Sequence, residues 1–296
     1  MSQAKNQSHR LEDGDEITAD IEINTVSYAQ ESRARIRVQK QIFEMLHFPS
    51  LTHRYESIIE AYPQTFDWVF REPTAGQRSW SNFSDWLKSG DGVYWINGKA
   101  GSGKSTLMRH IHNDLTTRRH LESWARRSTA QGCPGAPLCL PSFFFWNSGT
   151  RDQKSQGGLL RALMLQILRF CPDLAPVAFP EYWETFYSRL VANIGEPNPR
   201  LELCRLKSAF KTLMLQTSIP LKVCLLIDGL DEFEGDHEEL AWLVKEITNS
   251  HNVKVCLSSR PWVVFQETYC FCPSLRLQDL TFRYIMTYVN GKFSSN

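Results

Sequence analysis

The sequence lacks a strong excess of charge of either sign, and it has no long apolar run. Its 33 Lys and Arg residues balance 32 Asp and Glu residues, for a formal net charge of +1. Proteins that bind nucleic acid over a broad surface are usually more basic. No apolar run approaches the roughly 20 residues that a helix needs to cross a bilayer, and no secretory signal follows the N-terminus. We therefore expect a cytoplasmic protein with no nucleic-acid or membrane partner.

Cysteine pairs with metal-binding spacing are also missing. The chain has eight cysteines but no C-x-x-C pair, and the spacing of Cys270 and Cys272 does not suit a zinc knuckle. Cys224 and Cys256 lie within apolar runs, as small buried hydrophobic residues do. We expect reduced structural thiols, as is usual in the cytosol.

The chain is long and apolar enough to form a core, with 296 residues of which 42% are hydrophobic and 12% aromatic. Residues 1–26 are polar and acidic, which predicts a disordered tail. Ser27, with Gln30 three residues later, matches a capping box and predicts the first helix. That helix would open a helical linker segment over 27–90.

An alternation of short apolar runs and helical patterns begins after Gly92. It predicts an α/β domain over 91–280 whose parallel sheet is flanked by helices on both faces. Glycine and proline residues predict a long loop over 126–140, and the start of a further helical region is expected over 281–296. The five predicted strands cover 93–96, 143–146, 221–227, 253–257 and 274–277.

A glycine-rich segment with the pattern G-x-x-x-x-G-K-[ST] connects the first strand to a helix expected from Lys104 to about Arg118. Glycines allow backbone N–H groups to surround phosphate oxygens, and the positive end of the helix faces the same phosphates. We expect Lys104 to reach the β- and γ-phosphates, Ser105 to bind Mg²⁺ and Thr106 to contact the α-phosphate. The nucleotide-binding residues predicted here are Gly98, Lys99, Ala100, Gly101, Ser102, Gly103, Lys104, Ser105 and Thr106.

A second apolar strand ends in Asp228. A buried strand of this kind can hold the Asp228 carboxylate toward nucleotide-bound Mg²⁺, so that Asp228 and Ser105 are the predicted metal ligands. Asp231 and Glu232 follow at once, and one of them could polarise a water molecule toward the γ-phosphate. The sequence does not separate their roles, and an ordinary acidic loop is the simpler alternative.

Arg260 follows the fourth predicted strand and precedes a proline. Ligands of open α/β sheets bind at the carboxyl ends of the strands, so this cation is predicted to sense the γ-phosphate. The alternative is a surface arginine before a turn. The guanine-reading pattern Asn-Lys-x-Asp does not occur, which favours ATP over GTP.

These segments together resemble the NACHT domain of the STAND class of P-loop NTPases. The likeness is greatest to the fungal NLR-like receptors, whose NTPase module is also described as nephrocystin-like. It extends over about 35–296. The segments that carry it are 92–106, 143–149, 226–232, 257–262, 277–281 and Tyr288-Val289.

The resemblance implies a sheet order of 5-1-4-3-2, with the predicted strands numbered along the chain. It also implies ATP, ADP and Mg²⁺ as ligands, slow ATP hydrolysis, and a switch in which ADP holds a closed receptor. ATP would then permit oligomerisation with NACHT-type relatives and effector signalling, with outputs such as regulated cell death.

The sequence departs from the family pattern at Ala100, where proline is common, and at Tyr284, where an acidic residue is common. We also expect it to stop just after the NTPase core, without the winged helix and repeats of relatives. Two other readings stay open. One is a truncated, non-catalytic adaptor that binds nucleotide and assembles with relatives, and the other is a DNA-handling ATPase of the AAA+ type.

Overall fold

A computed structural model describes residues 13–61, 65–72, 80–127, 135–191 and 201–280, without the side chains of 13–29 and 191. The predicted helix over 281–293 and Tyr284 lie outside these ranges. Within them, no helix is both long and apolar enough to cross a membrane. The helices are α1 (Asp13–Leu46), α2 (His53–Ser57), α3 (Phe83–Ser89), α4 (Lys104–Asn113), α5 (Leu115–Arg127), α6 (Gln156–Phe170), α7 (Ala175–Ala178), α8 (Pro180–Val191), α9 (Leu203–Leu215), α10 (His237–Ile247) and α11 (Val263–Tyr269).

The strands form one parallel sheet. In it β1 lies between β6 and β5, β4 lies on the far side of β5, and both β2 and β3 pair with β4. This is the order 5-1-4-3-2 that the resemblance implied, so that prediction is confirmed. The strands are β1 (Gly92–Asn97), β2 (Leu138–Cys139), β3 (Ser142–Phe144), β4 (Lys222–Asp228), β5 (Val253–Ser259) and β6 (Ser274–Arg276).

Alternate residues of the strands face two separate hydrophobic cores. Val93 and Val255 contribute to a core that also includes residues of α1, α6, α9 and α10. Their neighbours Tyr94 and Cys256 contribute to a second core with residues of α3, α4 and α5. Because successive side chains of a strand point to opposite faces, strands this apolar require helices on both sides of the sheet. The predicted α/β architecture is confirmed.

Several element boundaries differ from the prediction. Helix α1 begins at Asp13 rather than Ser27. Residues 13–26, although acidic, contain no proline and include several good helix-forming residues, so the helix extends through them. The helix predicted from Lys104 to about Arg118 is interrupted at Asp114, which is extended and whose carboxylate accepts a hydrogen bond from the Thr116 N–H at 2.6 Å. The loop predicted over 126–140 contains strand β2 at its end.

The cysteines in the described part of the chain are free thiols, and Cys139, Cys224 and Cys256 are buried. Burial raises the pKa of Cys139 and of Cys224 to about 12. The expected burial of Cys224 and Cys256 within strands is confirmed.

Two lysines are buried near the start of the neighbouring strands β4 and β5, a feature that no sequence pattern predicted. The Lys254 ammonium donates to the backbone carbonyls of Trp86 at 2.7 Å and Leu87 at 3.0 Å, near the C-terminal end of α3. It also lies 4.5 Å from the ring centroid of Trp124, and the Lys222 ammonium lies 4.8 Å from the same ring. Burial lowers the pKa of Lys254 to about 8.

This buried ammonium gives a pH-dependent contribution to stability. Its pKa is lower in the folded chain than in the unfolded chain, so the native state is stabilised as pH rises above about 8. The free energy of unfolding of the wild type, minus that of Lys254→Met, should therefore rise by about 1 kcal/mol between pH 7 and pH 9. Urea titrations at both pH values measure this difference. The exposed Lys40→Met is the control, and a pH-independent difference for Lys254→Met would contradict the prediction.

Candidate functional site

The glycine-rich loop has the conformation that its sequence predicts. It leaves β1 at Asn97 and enters α4 at Lys104, and Gly101 and Gly103 adopt positive φ angles of 70° and 89°. Only glycine adopts such angles without strain. A Cβ on Gly98 would lie 2.6 Å from the Ser102 hydroxyl oxygen, so a side chain at this position would clash with the loop.

The loop is compatible with an anionic ligand. The Ser102 hydroxyl is buried and has no hydrogen-bond partner in the described part of the chain. The backbone N–H of Ser102 donates to the Lys99 carbonyl at 3.3 Å, which closes the turn. The Lys99 N–H bonds to the side-chain amide oxygen of Gln278 at 3.3 Å, and Ala100 is exposed. An orphaned hydroxyl beside a helix N-terminus suits a group that brings its own acceptors, as a phosphate does.

Lys104 is folded back onto this loop. Its ammonium donates to the carbonyls of Gly98 at 2.9 Å and Lys99 at 3.0 Å. Burial lowers the pKa of Lys104, while the charges of Asp231 and Asp228 act in the opposite direction. The ammonium is thus a desolvated cation beside two carboxylates, and a phosphate could replace the carbonyls as its partner.

Asp228 ends strand β4 and is 1% exposed. Its carboxylate accepts hydrogen bonds from the hydroxyls of Ser105 and Ser258, and the Ser258 hydroxyl accepts one from the Gly229 N–H at 3.0 Å. Burial raises the pKa of Asp228, and the two hydroxyl donors oppose that rise. The predicted metal ligands, Ser105 and Asp228, are therefore in contact, and their oxygens are of the kind that Mg²⁺ prefers.

Asp231 and Arg260 form an ion pair. One Asp231 oxygen accepts from the Arg260 backbone N–H at 2.9 Å, and the other lies 2.9 Å from the Arg260 Nε. The Asp231 side chain is 4% exposed, whereas that of Arg260 is 45% exposed. Both Asp231 oxygens are thus engaged in orienting Arg260, which still reaches solvent.

Glu232 has a different environment from Asp231. One of its carboxylate oxygens accepts a hydrogen bond from the Asn147 N–H at 2.9 Å. Beside it is a cleft of about 440 Å³, which we call the phosphate-end cleft because Arg260, the predicted sensor of the γ-phosphate, lines it. The residues that line it are Arg54, Trp146, Asn147, Ser148, Asp231, Glu232, Arg260 and Trp262.

The structure therefore brings most of the predicted residues to one edge of the sheet. The charges of Asp228, Asp231, Glu232 and Arg260 all influence Lys104, because β1, β5 and β4 are neighbours and end at the same level. Thr106 lies in the first turn of α4, as predicted.

Arg54 and Ser258 are site residues that sequence reasoning missed. Ser258 lies two residues before the predicted Arg260, and its contact with Asp228 follows from the pairing of β4 with β5. Arg54 carries no sequence signal, since it lies in a five-residue helix far from every motif.

Comparisons with known proteins bear on this site. The family model described as nephrocystin 3, N-terminal, matches residues 64–260, which is more than half of the chain. The chain is also similar to the crystal structure of Cdc6p from Pyrobaculum aerophilum, at 13% identity and a TM-score of 0.31. That match covers 80% of this chain and 48% of the other, so this chain spans about half the length of that protein. No match was found among curated proteins.

Proposed function

The chain belongs to the nephrocystin 3 N-terminal family, and from that premise we propose that it binds ATP and ADP with Mg²⁺ and hydrolyses ATP slowly. One observation carries the proposal. Lys104, Asp228 and Arg260 meet at the carboxyl edge of three adjacent parallel strands, although they are far apart in sequence. Ligands of open α/β sheets bind at such an edge.

The glycine-rich loop and Lys104 would hold the phosphates. Backbone N–H groups of a loop at a helix N-terminus favour an anion, and the helix dipole adds to this attraction. The Lys104 ammonium would exchange the carbonyls of Gly98 and Lys99 for phosphate oxygens. Because Lys104 is partly desolvated, it gains more from a phosphate than an exposed lysine would.

Ser105 and Asp228 are the residues that would hold Mg²⁺. When bound, the ion neutralises negative charge on the phosphate oxygens. The Ser258 hydroxyl, which bonds to Asp228, keeps that carboxylate oriented in its buried position.

Glu232 is the better candidate for activating water. Both oxygens of Asp231 already bond to Arg260, and this ion pair makes the carboxylate a weaker base toward water. Glu232 lines the phosphate-end cleft, and one of its oxygens is left after the bond to the Asn147 N–H. We assign water activation to Glu232 and the positioning of Arg260 to Asp231.

Arg260 would report the γ-phosphate. Arg260→Ala should lower the preference for a non-hydrolysable ATP analogue over ADP about tenfold, because ADP has no γ-phosphate for the guanidinium to meet. Dissociation rates of labelled ADP and of the labelled analogue measure this. The exposed Arg169→Ala, at the end of α6, is the control, and an equal loss for both nucleotides would rule out this role.

The biological setting that we propose is that of a NACHT-type STAND switch in the cytoplasm, as in fungal NLR-like proteins. Nucleotide exchange would control assembly with a second copy or a relative. The likeness of the segments 92–106 and 226–232 to that family supports this setting.

Binding and turnover of the wild-type chain test the proposal. Calorimetry with Mg-ATP and Mg-ADP should give saturable binding of one nucleotide per chain, and phosphate release should be slow but measurable. Binding of neither nucleotide would overturn the proposal. Retention of ADP without any turnover would favour the adaptor.

A further inference from the structure

Helix α2 places a cation in the phosphate-end cleft. The Arg54 guanidinium lines the cleft together with Glu232 and Arg260, and it lies 5.6 Å from the ring centroid of Trp146. Its Nε atom is buried and has no hydrogen-bond partner, and no carboxylate of the described residues forms an ion pair with it. A buried guanidinium nitrogen without an acceptor costs free energy that an anionic ligand would recover.

The position of Arg54 is fixed by the contacts of its neighbours. The Tyr55 hydroxyl donates to the side-chain oxygen of Asn113, at the end of α4, and the Tyr55 ring lies 5.3 Å from that of Phe144. On the other side, the Ser50 hydroxyl is 2.9 Å from that of Thr150. The segment that carries Arg54 is thus attached both to the helix that follows the glycine-rich loop and to the loop that follows β3.

Charge also points to an anion at this place. Arg260 is already paired with Asp231, whereas among the described residues the contact of the Arg54 guanidinium is with the face of Trp146. A planar guanidinium with unused donors fits a phosphate, which offers several acceptor oxygens.

We propose that Arg54 binds the terminal phosphate of a nucleoside triphosphate, opposite Arg260, and so couples helices α1 and α2 to the nucleotide state. This inference rests on the proposed nucleotide binding and adds a contact from outside the α/β core. ADP leaves Arg54 stacked on Trp146, whereas ATP draws the guanidinium to the phosphate. Helix α1 precedes α2 directly, and its buried Leu46 ties any movement of this segment to the core.

Nucleotide affinities of charge-removing variants test the inference. Arg54→Gln should weaken the non-hydrolysable ATP analogue about tenfold or more and change ADP affinity less than about twofold. Arg54→Lys should restore part of the loss, because it keeps the charge but not the planar donors. Arg118→Gln, an exposed arginine on α5 that does not line the cleft, should change neither affinity.

The outcomes separate this inference from the proposed function. If the wild type binds neither nucleotide, the proposed function fails. If it binds both and Arg54→Gln changes neither affinity, or changes both equally, only the role of Arg54 is overturned. Should Arg54→Gln not fold, amide hydrogen exchange of residues 48–58 in the wild type decides. Slower exchange with the analogue than with ADP supports the inference, and equal exchange overturns it.

Discussion

Lys104→Ala is expected to lower the affinity for both ATP and ADP by about a hundredfold or more. The substitution removes the ammonium that we expect to meet the β- and γ-phosphates. Both nucleotides carry the β-phosphate, so the affinity for each of them should fall. Charge-assisted hydrogen bonds contribute roughly 1.5–3 kcal/mol each, and Lys104 has donors for more than one phosphate oxygen. Isothermal calorimetry in the presence of Mg²⁺ measures both affinities.

The fold should survive this change. Among the described residues, the Lys104 ammonium bonds only to the carbonyls of Gly98 and Lys99, and its side chain is not part of either hydrophobic core. Lys40→Ala, an exposed lysine of α1, is the matched control for loss of one positive charge. Wild-type affinity in a folded Lys104→Ala chain would refute the assignment of the glycine-rich loop to phosphate binding.

Glu232→Gln is expected to slow ATP turnover about a hundredfold while ATP stays bound. The amide keeps the shape of the side chain and can still accept from the Asn147 N–H, but it cannot take a proton from water. Single-turnover phosphate release measures the rate, and calorimetry measures binding.

Variants of two neighbouring carboxylates, Glu234 and Asp231, serve as the control and as the comparison for this experiment. Glu234→Gln changes a carboxylate that pairs with Lys154 at 2.6 Å and does not line the cleft, so turnover should stay at the wild-type rate. Asp231→Asn should weaken the preference for the ATP analogue, because Arg260 loses its anchor. A larger loss of turnover in Asp231→Asn than in Glu232→Gln would reverse the two roles assigned here.

The sheet and the motifs at its edge were predictable because local patterns encode them. Apolar strands with a glycine-rich turn or a carboxylate directly after them specify both the strand and the position of the side chain, as at Lys104 and Asp228. The sheet order came from the resemblance rather than from any local pattern. The position of Arg54 depends on how Tyr55 packs against α4, which no short stretch of sequence encodes.

The different roles that we propose for Asp231 and Glu232 could not be predicted from the sequence either. The two residues are adjacent and chemically alike, and only the pairing of β4 with β5 brings Arg260 to one of them. The buried lysines escaped prediction for a different reason. Lysine is among the least buried residue types, and an aromatic ring and two carbonyls that are distant in sequence make the exception possible.

Those lysines also have a chemical consequence. An amine reacts with acylating reagents in its neutral form, and the lowered pKa of Lys254 makes that form abundant at mild pH. Yet Lys254 is fully buried and Lys222 nearly so, and no reagent can approach them while the strands stay covered by α3 and α5. Acylation of Lys254 therefore records the rare moments when this side of the sheet opens. Exposed lysines react without any opening of the structure. The rate at which Lys254 is acylated, compared with the rate for exposed lysines, therefore reports how often this side of the sheet opens.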